Sequence, residues 1–256
     1  EINPSHPDSY NNLGVIYQSQ GRYDEALSSY KEVIKLNSGY YQTHNNIGIL
    51  LQEKGDYLNA AKYHAQAFKI NPNYTEALNN MGIAYQKSGN YVAAIKAYNQ
   101  AIEINPNDFR VYNNIGLTLL EERKFDESIL YFEKSLKINP QFVEALNNIG
   151  YVFNEQSKFE KAEPYLKKSL SVNPNYAEAY NNLGNTLKNL FRLDEAILAF
   201  EKAIYLKPKY TKAINNLGNV LKDQGRTNEA IECYKKALEI KPNFPETLSN
   251  LGIALK

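Results

Sequence analysis

The sequence has little of what chemistry and membranes usually require. Its 256 residues hold one Cys, one Met, three His and no Trp. A single cysteine, Cys233, excludes an internal disulfide framework and any cysteine-cluster zinc site. No apolar run approaches about 18 residues, which excludes a membrane-spanning helix, and no segment shown reads as a secretory signal. The expected compartment is therefore the cytoplasm. Its 29 basic and 28 acidic residues leave a net charge of +1 without a basic run, so nucleic acid is not expected as the main partner.

Asparagine, by contrast, is abundant: 33 residues, together with 13 Gly and 10 Pro. So much helix-weakening residue would suggest loops or disorder if it were scattered. It is not scattered. Asn-Asn-(Leu/Ile/Met)-Gly recurs at Asn11, Asn45, Asn79, Asn113, Asn147, Asn181 and Asn215, every 34 residues, and Ser249-Asn250-Leu251-Gly252 falls on the same beat. With Pro7 as repeat position 1, the units are 7–40, 41–74, 75–108, 109–142, 143–176, 177–210 and 211–244. Residues 1–6 match the end of a preceding unit, and 245–256 match the first helix of an eighth. Eight of the 13 Gly stand at position 8 and four at position 15, and fifteen of the 33 Asn stand at positions 5 and 6.

Each unit reads as two helices. Apolar residues at positions 4, 7 and 11, such as Tyr10, Leu13 and Tyr17, share one face of the first helix. Gly at position 15 suits a left-handed C-cap. Acidic residues near positions 18–19, such as Asp24-Glu25 and Asp194-Glu195, favour the start of the second helix. That helix stops before Asn-Pro or Lys-Pro, because the residue before Pro is pushed out of the helical region. Gly at position 8 implies close helix approach, with the mostly Ala positions 20 and 27 as the opposing small surfaces. Ser38 and Gly39 in place of the usual Pro predict a looser connection, and Pro164 is expected in the first turn of its helix. This 34-residue pattern resembles the tetratricopeptide repeat family over essentially the whole chain. The resemblance implies an all-α, right-handed α-solenoid of antiparallel helix hairpins, its first helices lining a concave groove.

By that resemblance, positions 2, 5, 6, 9, 12 and 13 look into the groove. Position 6 is Asn in all eight copies: Asn12, Asn46, Asn80, Asn114, Asn148, Asn182, Asn216 and Asn250. Asn inside a helix costs about 0.6 kcal/mol relative to Ala, so the row calls for a reason. An amide carries both donor and acceptor and can pair with the backbone of an extended peptide. Such an asparagine ladder resembles the peptide-binding superhelix of O-GlcNAc transferases and SPINDLY-type proteins. The same amides can instead hydrogen-bond between adjacent repeats. Asn185 and Asn219 at position 9, and Lys188 and Lys222 at position 12 with Lys256 beyond them, extend the candidate peptide site. That lysine row, with a charge of +3 over residues 177–256, predicts preference for an acidic or phosphorylated segment in the C-terminal half.

No catalytic pattern emerges. There is no His-Glu-x-x-His, phosphate loop or nucleophile elbow. His44 and His64 fall at core-type positions 4 and 24 of one unit and read as stand-ins for aromatics. Neither a metal nor any other cofactor is expected. The predicted function is a non-catalytic scaffold that binds an extended protein segment. The alternative is the substrate-recognition arm of a larger protein O-glycosyltransferase, since the chain reads as a portion of a longer array. Leu248, Leu251 and Leu255 on the last helix predict self-association.

Overall fold

A computed structural model describes residues 6–255; the lead-in residues 1–5 and Lys256 lie outside the described residues. Among the described residues all regular structure is helical. The first helices of successive repeats are α1 (Pro7–Ser19), α3 (Tyr41–Glu53), α5 (Thr75–Lys87), α7 (Phe109–Glu121), α9 (Val143–Glu155), α11 (Ala177–Asn189), α13 (Thr211–Asp223) and α15 (Pro245–Ala254). The second helices are α2 (Tyr23–Leu36), α4 (Tyr57–Ile70), α6 (Tyr91–Ile104), α8 (Phe125–Ile138), α10 (Phe159–Val172), α12 (Leu193–Leu206) and α14 (Thr227–Ile240). The helices group into two compact units that divide between Tyr131 and Phe132. Within each unit a helix packs on its hairpin partner and on the next repeat, and the first helices also touch one another. This is the all-α repeat-solenoid architecture.

The hairpins close by seating a ring on a glycine. A Cβ on Gly14 would lie 2.4 Å from Tyr30 Cε1, one on Gly82 2.4 Å from Tyr98 Cε1, and one on Gly218 2.6 Å from Tyr234 Cε1. The small alanines at position 20, Ala26, Ala60, Ala94, Ala162, Ala196 and Ala230, are fully buried nearby. The group that requires glycine at position 8 is nevertheless the side chain at position 24, not these alanines. His64 takes the same seat on Gly48. Around these contacts the cores are continuous from repeat to repeat: Leu78, Tyr98, Val111 and Ile115 in the first unit, and Leu166, Leu187, Phe200, Val220 and Tyr234 in the second.

The first helices α1, α3, α5, α7, α9, α11 and α13 end in the same cap. The amide of position 16 donates to the carbonyl of position 11, as in Arg22 to Tyr17 at 2.9 Å, and position 15 donates to position 12, as in Gly21 to Gln18 at 2.9 Å. This pair of bonds requires a left-handed residue at position 15. Gly21, Gly55, Gly89 and Gly225 supply it, but so do Arg123, Ser157 and Phe191, with φ of 60°, 56° and 58°. The cap therefore holds three side chains in a backbone conformation that costs L-residues about 1–2 kcal/mol.

Two local expectations are corrected. The Ser38-Gly39 connection is not remodelled: Gly39 N–H donates to Asn37 Oδ1 at 3.0 Å, the turn that Asn73 makes to Asn71 and Asn175 to Asn173. The Asn side chain at position 31 braces this turn whether or not a proline follows it. Pro164 lies in the second turn of α10, on its exposed face, because the helix begins at Phe159. Phe191 offers the cleaner test of strain, since it is 89 % exposed and leaves no packing to lose. Phe191→Gly is expected to raise the free energy of unfolding by about 1 kcal/mol. Urea unfolding checks this; an unchanged or lower midpoint refutes the strain argument.

Candidate functional site

The amide rows at positions 5 and 6 interlock between repeats. Within each unit the position-6 Nδ2 donates to the position-5 Oδ1 of the preceding repeat: Asn46 to Asn11 at 3.1 Å, Asn80 to Asn45 at 3.2 Å and Asn114 to Asn79 at 2.8 Å. The second unit repeats the bond from Asn182 to Asn147 at 2.9 Å, Asn216 to Asn181 at 3.1 Å and Asn250 to Asn215 at 3.1 Å. Asn148 is half-buried like its counterparts, and Asn12 at the first repeat is exposed.

Position 5 is largely turned into the interface between repeats. Asn45, Asn147, Asn181 and Asn215 are buried between repeats, where their carbonyl oxygens collect donors. Asn215 Oδ1 accepts from Thr247 Oγ1 at 3.0 Å as well as from Asn250, and Asn11 Oδ1 accepts from Thr43 Oγ1 at 2.7 Å as well as from Asn46. Position 12 is also turned inward. Gln52 and Asn154 donate to the backbone carbonyls of Asn80 and Asn182, at 2.8 and 3.1 Å. A buried amide is stable only when such partners are present.

His64 belongs to this network. Gln52 Nε2 donates to His64 Nε2 at 3.1 Å, so the ring proton sits on Nδ1 and is given to Asn45 Oδ1 at 2.8 Å. Burial pushes the imidazole down from its ordinary 6.5 to about 4. His44 makes separate contacts: its Nε2 donates to the Ser38 carbonyl at 3.2 Å and its ring lies 6.1 Å from that of Tyr63. The two histidines form no joint site. Among the described residues no group of three or more His, Cys, Asp or Glu is placed to hold a metal.

The first helices of the second unit enclose a cavity of 510 Å³. Six amides line it, Asn147, Asn181, Asn182, Asn185, Asn215 and Asn216. Tyr151, Glu155, Glu178, Tyr210, Lys212 and Glu246 complete the wall. Of the expected site residues, the structure brings Asn182, Asn185 and Asn216 together here. It places Asn219 as acceptor of the Tyr234 hydroxyl at 2.8 Å. Lys188 pairs with Asp223 at 3.4 Å, and neither Lys188 nor Lys222 lines the cavity. The wall carries three carboxylates against one lysine, so its sign is opposite to that expected from the lysine row. The acidic residues at positions 2 and 13 escaped notice although those positions were expected to face the groove; Tyr210 at position 34 had no such signal. Burial and the nearby Glu178 push the Tyr210 hydroxyl up to about 12, so it stays a neutral donor. In the first unit the position-9 row is aliphatic, with Val15 exposed and Ile49, Ile83 and Leu117 half-buried.

Two measurements test the network. Asn182→Ala removes the donor to Asn147, which is 6 % exposed, and is expected to cost about 1–2 kcal/mol in chemical denaturation; no loss refutes an inter-repeat role. Between pH 6.5 and 4 the unfolded chain binds a proton at His64 that the folded chain does not, so stability falls as pH drops through that window, by at most about 3 kcal/mol. His64→Tyr, the residue on the equivalent Gly14, Gly82 and Gly218 seats, should flatten this dependence; an unaltered pH profile in that variant refutes the assignment.

Comparison with known proteins gives the family. Tetratricopeptide repeat patterns match residues 7–40, 75–108, 109–142, 143–176 and 177–210, with others on 41–74 and 199–232 and a TPR repeat over 218–256. No curated protein sequence matches the chain. Among solved structures, the chain is similar to a chain of the APC/C hetero-tetramer Cut9–Hcn1, with a TM-score of 0.78 and 19 % identity. That match covers 100 % of this chain, which spans only 50 % of the other. PilF of Pseudomonas aeruginosa matches with a TM-score of 0.70 and 18 % identity, over 84 % of this chain and 97 % of its own. YrrB, a TPR protein with an unusual peptide-binding site, matches with a TM-score of 0.56 and 23 % identity over 74 % of this chain and 97 % of its own. At these identities the structures speak for the fold alone. The repeat matches cover most of the sequence, and the chain belongs to the tetratricopeptide repeat family.

Proposed function

We propose that the face formed by the first helices binds an extended protein segment, as the working surface of a protein-interaction scaffold. The observation that carries this reading is the cavity of 510 Å³ on that face, where six amide side chains converge. Six of the position-6 amides spend one N–H on the preceding repeat, as Asn216 does on Asn181. Asn216 keeps its other N–H and its carbonyl oxygen, the donor-and-acceptor pair that a peptide unit needs, whereas Asn182 Oδ1 also accepts from Asn181 Nδ2 at 3.4 Å. The ladder is thus a staple between repeats first and a peptide contact second. YrrB, described as having an unusual peptide-binding site, supports the reading by analogy of fold only. Within the first unit, the aliphatic row Val15, Ile49, Ile83 and Leu117 would take apolar side chains of a segment bound there. The likeness to O-GlcNAc transferase and SPINDLY-type ladders rests on the position-6 row alone, and it favours the same mode of peptide contact without bearing on any attached enzyme.

Selection from a displayed random-peptide library, followed by titration of a selected peptide against the protein and its Asn182→Ala/Asn185→Ala/Asn216→Ala variant, tests the proposal. The variant is expected to keep its helical circular dichroism and to lose about tenfold or more in affinity. Unchanged affinity in a folded variant would falsify the ladder as a peptide contact.

A further inference from the structure

We propose that the cavity among α9, α11, α13 and α15 is a seat for a cationic side chain, a lysine ammonium or an arginine guanidinium, carried by the bound segment. This rests on the peptide reading above and adds the charge of the ligand. The charged wall consists of Glu155, Glu178 and Glu246 against Lys212, a formal balance of three negative charges to one positive. Two of the carboxylates are already engaged: Glu178 accepts from Lys207 Nζ at 2.9 Å, and Glu246 from Asn215 Nδ2 at 3.1 Å. Glu155, exposed on the last turn of α9, makes no hydrogen bond or ion pair among the described residues. Two aromatic rings, Tyr151 and Tyr210, share the wall. Their negative faces attract cations and do nothing for anions.

The chain uses this chemistry on itself. Lys207 Nζ lies over the Tyr210 ring, 4.9 Å from its centroid, while it pairs with Glu178. Lys207 stands at repeat position 31, where the first five repeats carry Asn37, Asn71, Asn105, Asn139 and Asn173 and use it for a turn. The sixth repeat keeps the turn without that side-chain bond and gains an internal cation on a carboxylate and a ring. Both partners of the pair are more than a third exposed, with side chains 53 % and 39 % accessible, and such pairs exchange readily. An incoming cation therefore finds Glu155 open and the Glu178–Tyr210 position occupied by a displaceable lysine. An anionic segment would face a net negative wall and no unpaired cation except Lys212.

The probes are fluorescein-labelled Gly/Ser/Ala peptides with one central Arg, citrulline or Glu, titrated by anisotropy and NMR, and N-acetylarginine methylamide as the cation alone. The Arg peptide is expected to bind about tenfold tighter than its citrulline twin, and the Glu peptide weakest. Glu155→Gln should remove most of the Arg preference with the fold intact by circular dichroism. Lys207→Met should strengthen Arg binding severalfold and leave citrulline unchanged, an effect that loss of structure cannot produce. Equal binding of Arg and citrulline peptides, tighter binding of the Glu peptide, or an Arg preference that survives Glu155→Gln overturns the cation seat and leaves the peptide reading standing. Perturbation of the Tyr151 and Tyr210 ring signals by N-acetylarginine methylamide, with no peptide bound, upholds the seat and overturns the peptide reading. Binding by none of the probes overturns both.

Discussion

Everything in this protein depends on the side chain that lies on a bare glycine. A Cβ at Gly14, Gly82 or Gly218 would meet the facing ring at 2.4–2.6 Å, well inside van der Waals contact. The absence of that one carbon sets the distance between the two helices of a repeat. The spacing buries the ring completely, as at Tyr30, Tyr98 and Tyr234. It also fixes where position 5 and position 6 of the first helix emerge, and the next repeat is laid against that edge. A hairpin of 34 residues has too little interior to stand alone, so its stability comes largely from its neighbours.

The neighbours are joined by amides as well as by apolar contact. Position-5 amides are buried or half-buried and their carbonyl oxygens need donors, and the position-6 Nδ2 of the following repeat supplies one. An unpaired buried acceptor would cost more than the helix propensity that asparagine sacrifices. This explains why a costly residue recurs at both positions. It also bears on function, because only what the staple leaves over faces solvent. On the proposed reading the amide row varies little from repeat to repeat, and differences in what it would accept come from positions 2, 9 and 13. Those positions are aliphatic at Val15 and Ile83 but acidic and aromatic at Glu155, Glu178 and Tyr151.

Repetition makes each departure its own control. Arg123, Ser157 and Phe191 show that the helix cap dictates a left-handed residue whether or not glycine supplies it. His64 shows that an imidazole can sit on Gly48 where other repeats place a phenol, provided Asn45 and Gln52 satisfy both ring nitrogens. Buried imidazole is stable there only in its neutral form, so this repeat carries a pH dependence that its neighbours lack.

The fold was legible in the order of residues because a repeat writes its geometry as a period. Glycine at positions 8 and 15, apolar residues at 4, 7 and 11, and the Asn-Pro stops place all the helices within a residue or two. What the amides do was not legible. Positions 5 and 6 are adjacent in the chain and both asparagine, yet a step of about 100° around the helix sends one into the interface and leaves the other at its edge. The charge of the site was hidden for a related reason. Lys188 looks free until the next repeat brings Asp223 to it, and Glu155, Glu178 and Glu246 look unrelated until four successive first helices pack side by side. Sequence by itself determined the period, the hairpin and the family, since these depend on local backbone preference and a single repeated contact. Tertiary structure decided which polar atoms are already paired and which charges meet, because that depends on residues some 30 positions apart in the chain.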